Sequence, residues 1–180
     1  MEKISYQLIR SARKTLSIQL RPGGAVIVRA PSRMKRGEID RFVESKRSWI
    51  ETHQAHLEPA LPKLSRPELE TLARHAREVI GELAAYYGPL VGVTYGSITI
   101  RAQHTRWGSC TASGNLNFNC LLILTPDDVI DYVVVHELCH RKQMNHSAAF
   151  WAEVERVLPD YRKSRQWLKE HGGALIARLP

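Results

Sequence analysis

No stretch of the 180-residue chain approaches eighteen uninterrupted apolar residues, which excludes a membrane-spanning helix. The opening Met1-Glu2-Lys3-Ile4-Ser5-Tyr6 lacks the apolar core of a secretory signal and carries an early acid. Cysteine is scarce. Cys110, Cys120 and Cys139 form an odd set without framework spacing, which argues against a disulfide-stapled scaffold and suits a reducing, cytoplasmic compartment. Internal repeats, low-complexity tracts and a Gly-rich phosphate loop are absent. So is an aromatic-studded basic stripe of the kind single-strand binders use.

What remains is ordinary globular material, 43% hydrophobic and 24% charged, enough for one well-buried core or a small module beside a larger one. The charge is uneven. Residues 1–65 hold 13 Lys+Arg against 6 Asp+Glu, a balance of +7, whereas residues 66–180 hold 13 against 12, a balance of +1. Such an excess can steer nucleic acid or a nucleotide to the N-terminal region, although solvated strand and helix faces account for it as simply.

The first thirty residues read as β. Thr15–Leu20 alternates, the turn falls at Pro22-Gly23-Gly24, and Ala25–Arg29 returns. Ile39, Phe42, Val43, Trp49 and Ile50 give helical spacing over 38–57, and prolines at 59, 62 and 67 mark a linker. This divides the chain into an N-terminal hairpin-and-helix module, 1–65, and a larger domain, 66–180. In the second part a helix is expected over 68–87, ending at Gly88-Pro89, followed by strands at Val93–Arg101 and Asn115–Leu124 around a Ser113-Gly114 turn. Thr125-Pro126-Asp127-Asp128 reads as a hydroxyl N-cap, a first-turn proline and two acids opening a helix over 129–143. Another helix begins at Ser147 and is interrupted at Pro159, and a last one covers 161–171, stopping at Gly172-Gly173. The fold class is α+β.

The chemistry is concentrated in Val135-His136-Glu137-Leu138-Cys139-His140, followed by Asn145-His146. On a helix, His136 and His140 project from one face a turn apart and can chelate one Zn2+ through bonds of about 2.0–2.1 Å. Glu137 is rotated by about 100°, too far to join as a helical ligand but suited to be a general base. A bound zinc acidifies water, and the carboxylate would take its proton as the water attacks a carbonyl. The third ligand is expected at His146, six residues beyond His140. Residue 143 is Gln where the related long zinc motif has Gly, so the turn should differ, with Asn145 in the left-handed conformation. An acid on the next helix, Glu153 or Glu155, is the competing third ligand. Cys139 lies off the centre of the His face and reads as core. His104 and Tyr132 are candidates to stabilise an oxyanion, a structural hydrogen bond being the plainer role of each. His53, His56, His75 and His171 look like helix-surface residues, while Phe150, Trp151 and Val154 have core spacing.

Thr105-Arg106-Trp107-Gly108-Ser109-Cys110, the Tyr132–His140 run, and Asn145-His146-Ser147 with Phe150-Trp151 together resemble the YgjP-like metallopeptidase-domain family, related to WLM and SprT-like zinc proteases. The similarity extends to Arg13-Lys14-Thr15-Leu16, Ala30-Pro31 and the helix bearing Trp49, so it covers essentially the whole chain. The resemblance implies a zincin-like catalytic domain, with an active-site helix and a small β-sheet, behind an N-terminal β-rich module. It implies His136, His140 and His146 as zinc ligands, Glu137 as the catalytic glutamate, and Arg106 and Trp107 as braces. It also implies that the strand around Leu116–Leu122 pairs an extended peptide or protein substrate. The alternatives are zinc-dependent hydrolysis of a nucleotide phosphoanhydride, and a non-enzymatic nucleic-acid-associated module.

Overall fold

The computed structural model describes residues 3–21, 23–55 and 61–180. The turn residue Pro22, the surface residue His56 and the first linker proline, Pro59, lie outside them. The chain divides into two compact units, Met1–Leu61 and Pro62–Pro180, and the fold is mixed α+β.

In the first unit β1 (Gln7–Ser11), β2 (Ser17–Leu20) and β3 (Val26–Pro31) form one sheet. Its middle strand, β3, is parallel to β1 and antiparallel to β2. Gly23 and Gly24 sit at positive φ, 82° and 79°, a conformation that glycine enters without a Cβ penalty. Val26, Val28 and Ala30 alternate along β3 and are buried against Ile39 and Val43 of α1 (Arg36–Ser45) and Ile50 of α2 (Arg47–Ala55). The single helix expected over 38–57 is therefore two. Lys46, at φ −106° and ψ 10°, turns its N–H back to the Val43 carbonyl, ending α1 so that α2 can set off anew and bury Ile50. Trp49, counted among the apolar helix positions, is 42% exposed and lies against His53.

The second unit begins with its own tail. The buried Leu64 donates its backbone N–H to the Arg178 carbonyl at 2.8 Å, and Lys63 Nζ donates to the Leu179 carbonyl. Ser65 and Glu68 form a capping box at the start of α3 (Arg66–Val91). This helix passes the expected stop at Gly88-Pro89. A proline in the last turn forfeits only one ladder bond, and Gly92, at φ 81°, closes the helix with its N–H on the Gly88 carbonyl.

The second sheet, β4 (Ile98–Arg101), β5 (Gly108–Cys110) and β6 (Leu116–Asn119), repeats the pattern of the first. Its middle strand, β6, is parallel to β4 and antiparallel to β5. The expected first strand shrinks to its last four residues, and β5 was not foreseen. The expected strand at 115–124 stops at Asn119, beyond which Cys120–Leu124 forms a 3-10 turn. Asn119 is fully buried. Its amide donates to the carbonyls of Gln103 at 2.7 Å and Arg106 at 3.1 Å, and its oxygen accepts from Leu121 N–H at 3.2 Å, so the side chain ends the strand. Because β6 is flanked on both sides, it cannot be the strand that adds a substrate; among the described residues the open edges belong to β4 and β5.

Helix α4 (Asp127–Cys139) is capped by Pro126, one residue later than expected. Thr125 instead donates its hydroxyl to the Leu122 carbonyl at 2.7 Å and closes the 3-10 turn. The helix also ends earlier, with His140 as its C-cap. Ser147 caps α5 (Ala148–Val157), which stops before Pro159 as expected. The last helix, α6 (Tyr161–Ile176), runs straight through Gly172-Gly173. A Cβ on the buried Gly172 would lie 3.1 Å from the Trp107 ring, so this glycine serves close packing and not termination. No helix of the described residues is long and apolar enough to cross a membrane.

Candidate metal centre

Helix α4 carries both residues of the i, i+4 pair. Its valines and leucine (Val129, Val133, Val134, Val135, Leu138) are buried, which fixes the helix in the core, and His136 and His140 both lie against the buried Phe150 ring. Three backbone bonds then fold the chain tightly after Cys139: Arg141 N–H to the Leu138 carbonyl, and Lys142 and Gln143 N–H to the Cys139 carbonyl. That turn returns His146 to the pair. No non-glycine residue among those described has positive φ, so Asn145 is not left-handed; its side-chain oxygen accepts from Ser147 N–H at 3.2 Å and shapes the turn that way.

The ligand atoms of His136, His140 and His146 all lie within 4.8 Å of one another, and the Nε2 atoms of His136 and His146 are 3.0 Å apart. Nitrogens bound tetrahedrally at zinc distances are about 3.4 Å apart, so the cluster fits one small divalent ion. His140 Nδ1–H donates to the Gln143 carbonyl at 2.9 Å, which fixes the tautomer and leaves the Nε2 lone pair for an ion. Burial drives the His136 imidazole down to about 3, and His140 and His146 press the same way; burial also lowers His146. Both are thereby held in the neutral form that ligation needs. Phe150, fully buried, floors the cluster, with its ring centroid 4.8, 4.5 and 4.9 Å from those of His136, His140 and His146.

Glu137 is 5% exposed, and among the described residues nothing hydrogen-bonds its Oε2. Burial raises this carboxyl to about 8, with the Arg106 charge pulling the other way. Tyr132 is buried a turn before His136, and its phenol is pushed up to about 12 by burial. Arg106 is exposed and close enough to Glu137 to act on it electrostatically. His104 is not joined to this group: it is exposed and makes no hydrogen bond, ion pair or ring contact among the described residues. The competing ligands are engaged elsewhere. Glu153 pairs with Lys142 and Arg156, both at 3.0 Å, and Glu155 with Arg162 at 2.5 Å. Cys139, Phe150 and Val154 are fully buried core, whereas Trp151 is half-buried and stacks beside His146.

The sequence reading missed three groups. Gly108 on β5 packs so tightly on Glu137 that a Cβ there would lie 2.6 Å from Oε1. The Gln143 carbonyl orients His140. Arg165 of α6 rests over the Trp151 ring, 4.5 Å from its centroid. Of these only Gly108 carried a signal, as the glycine of Arg106-Trp107-Gly108.

A family model described as YgjP-like, metallopeptidase domain matches residues 14–71 and 64–171. No curated protein matches the chain. Two solved structures are similar over half of it. The metallopeptidase zymogen abylysin of Pyrococcus abyssi is 20% identical, with 51% of this chain and 93% of that one covered and a TM-score of 0.46. The metallopeptidase zymogen jannalysin of Methanocaldococcus jannaschii is 16% identical, with 51% and 94% covered and a TM-score of 0.45.

Proposed function

Because the chain belongs to the YgjP-like metallopeptidase-domain family, we propose that it hydrolyses peptide bonds, with zinc held by His136, His140 and His146 and Glu137 as general base. The observation that carries this is the convergence of three imidazoles within 4.8 Å, next to a buried carboxyl group whose Oε2 has no hydrogen-bond partner among the described residues. When bound, the ion supplies Lewis acidity and acidifies water. The raised proton affinity of Glu137 suits it to take a proton from the attacking water and pass it to the leaving amine. Tyr132, which stays protonated across the working range, donates towards the developing oxyanion. Arg106 opposes the rise in Glu137, and a dication held by the neighbouring imidazoles would favour the carboxylate form in the same direction. The substrate chain pairs in extended form on the open edge of β5, the strand that lies against Glu137.

Turnover of a broad peptide library by the zinc-loaded protein tests this reading. Glu137→Gln should lower kcat by about 10²–10⁴ while zinc stoichiometry is kept, and chelation should abolish turnover until zinc is restored. Unchanged activity in the variant, or no turnover of any peptide, would overturn it.

A further inference from the structure

On the peptidase reading above, we propose that Arg165 selects the substrate by binding a peptide carboxylate, from an acidic side chain or from the peptide's own C-terminus, beside the scissile bond. The residue is exposed, and its guanidinium carbon lies over the Trp151 ring, 4.5 Å from the centroid. Trp151 in turn stacks on His146, at 5.6 Å and 24°, and its centroid is 5.8 Å from that of His136. The cation is thus held at the border of the imidazole cluster by the ring that forms its wall. Its charge reaches His136, His146 and Tyr132.

What sets Arg165 apart is its place over the Trp151 ring together with the lack of a carboxylate, a lack it shares with Lys169 on the same helix. The two basic residues that precede it on α6 are paired, Arg162 with Glu155 at 2.5 Å and Lys163 with Asp160 at 3.1 Å. Arg165 makes no hydrogen bond or ion pair among the described residues. The nearby acids are spent, since Glu153 and Glu155 are in ion pairs and Glu137 is buried. Nor is the unpaired charge a by-product of a basic unit, because residues 66–180 balance at only +1. A guanidinium drawn to an aromatic face by the cation–π attraction still offers two parallel N–H donors, the geometry that carboxylates accept.

The test uses the full-length, zinc-loaded Glu137→Gln protein, which should bind without turning over, and fluorescently labelled peptides in matched pairs. One pair differs by Glu against Gln, the other by a free against an amidated C-terminus. In one pair the carboxylate member should bind roughly tenfold tighter, and which pair responds identifies the source of the carboxylate. The advantage should vanish with Arg165→Gln, survive in part with Arg165→Lys, and turn into a preference for a Lys-containing peptide with Arg165→Glu. Equal affinity within both pairs would overturn the proposal. So would a uniform loss for all peptides in Arg165→Gln, the signature of a merely structural brace on Trp151. Wild-type turnover separates the two readings: cleavage without carboxylate preference removes the role of Arg165 and leaves the peptidase standing. Carboxylate-selective binding without any cleavage does the reverse.

Discussion

Gly108 shows how much of the site depends on a side chain that is not there. A methyl group at this position would lie 2.6 Å from Oε1 and 2.7 Å from Cγ of Glu137. The variant Gly108→Ala must push the carboxylate away from its buried position or lift β5 from α4. A displacement of about 1 Å at a catalytic group costs on the order of 10² in rate. We expect kcat to fall by about that factor while zinc content stays at wild-type level, as read by peptide turnover and elemental analysis. The juxtaposition of His136 and His140 was legible in the sequence, because the helical repeat alone puts residues four apart on one face. His146 was legible only as a spacing, and its turn was not, since Asn145 works through its side chain and not through a left-handed backbone. The parts played by Gly108 and Arg165 appear only when β5 docks on α4 and α6 brings a residue nineteen positions beyond His146 back to Trp151.

Among the elements, the boundaries were harder to read than the elements themselves. The alternation of Leu116, Phe118, Cys120 and Leu122 promises one strand, yet Cys120, Leu121 and Leu122 are consecutively buried, which a half-exposed strand does not allow. The local instruction is Asn119, whose amide satisfies two carbonyls of the 103–106 loop while its oxygen holds the next turn. Asn119→Ala should therefore cost about 2–4 kcal/mol, from lost hydrogen bonds, part-buried carbonyls left unpaired and the space vacated by a buried side chain. A urea titration would show the loss as a lower midpoint at unchanged slope. The glycines misled for a similar reason. Gly172 looks like a stop signal in sequence, but packing against Trp107 uses its smallness inside α6, whereas Gly92 is a genuine left-handed terminus.

Across the whole molecule, two units each centre on a three-stranded mixed sheet whose last strand lies in the middle. The family match is likewise in two overlapping pieces, 14–71 and 64–171. The mixed class was readable because the periodicities of strand and helix alternate along the chain, whereas the shared strand order needs pairing information that periodicity does not contain. The proposed ligands all belong to the second unit and join α4 to the turn before α5. An ion that binds only the folded arrangement stabilises it by mass action, by about 2.7 kcal/mol at one hundred times its Kd. Adding zinc to the chelated protein should raise Tm by several degrees, and His136→Ala should remove that response. An equal rise in the variant would show that zinc acts elsewhere.

The three imidazoles are not equally sheltered: His140 is buried, His136 partly so, and His146 exposed. Such a gradient sets an order of detachment. In the proposed centre the outermost ring, on its short surface turn, would be the first to let go of an ion, while the inner two, seated on Phe150 and one helix, would stay in register. Exchange of an ion with chelators would then be paced by the swing of a single residue at position 146, and the emptied chain would keep most of its grip ready for the next ion.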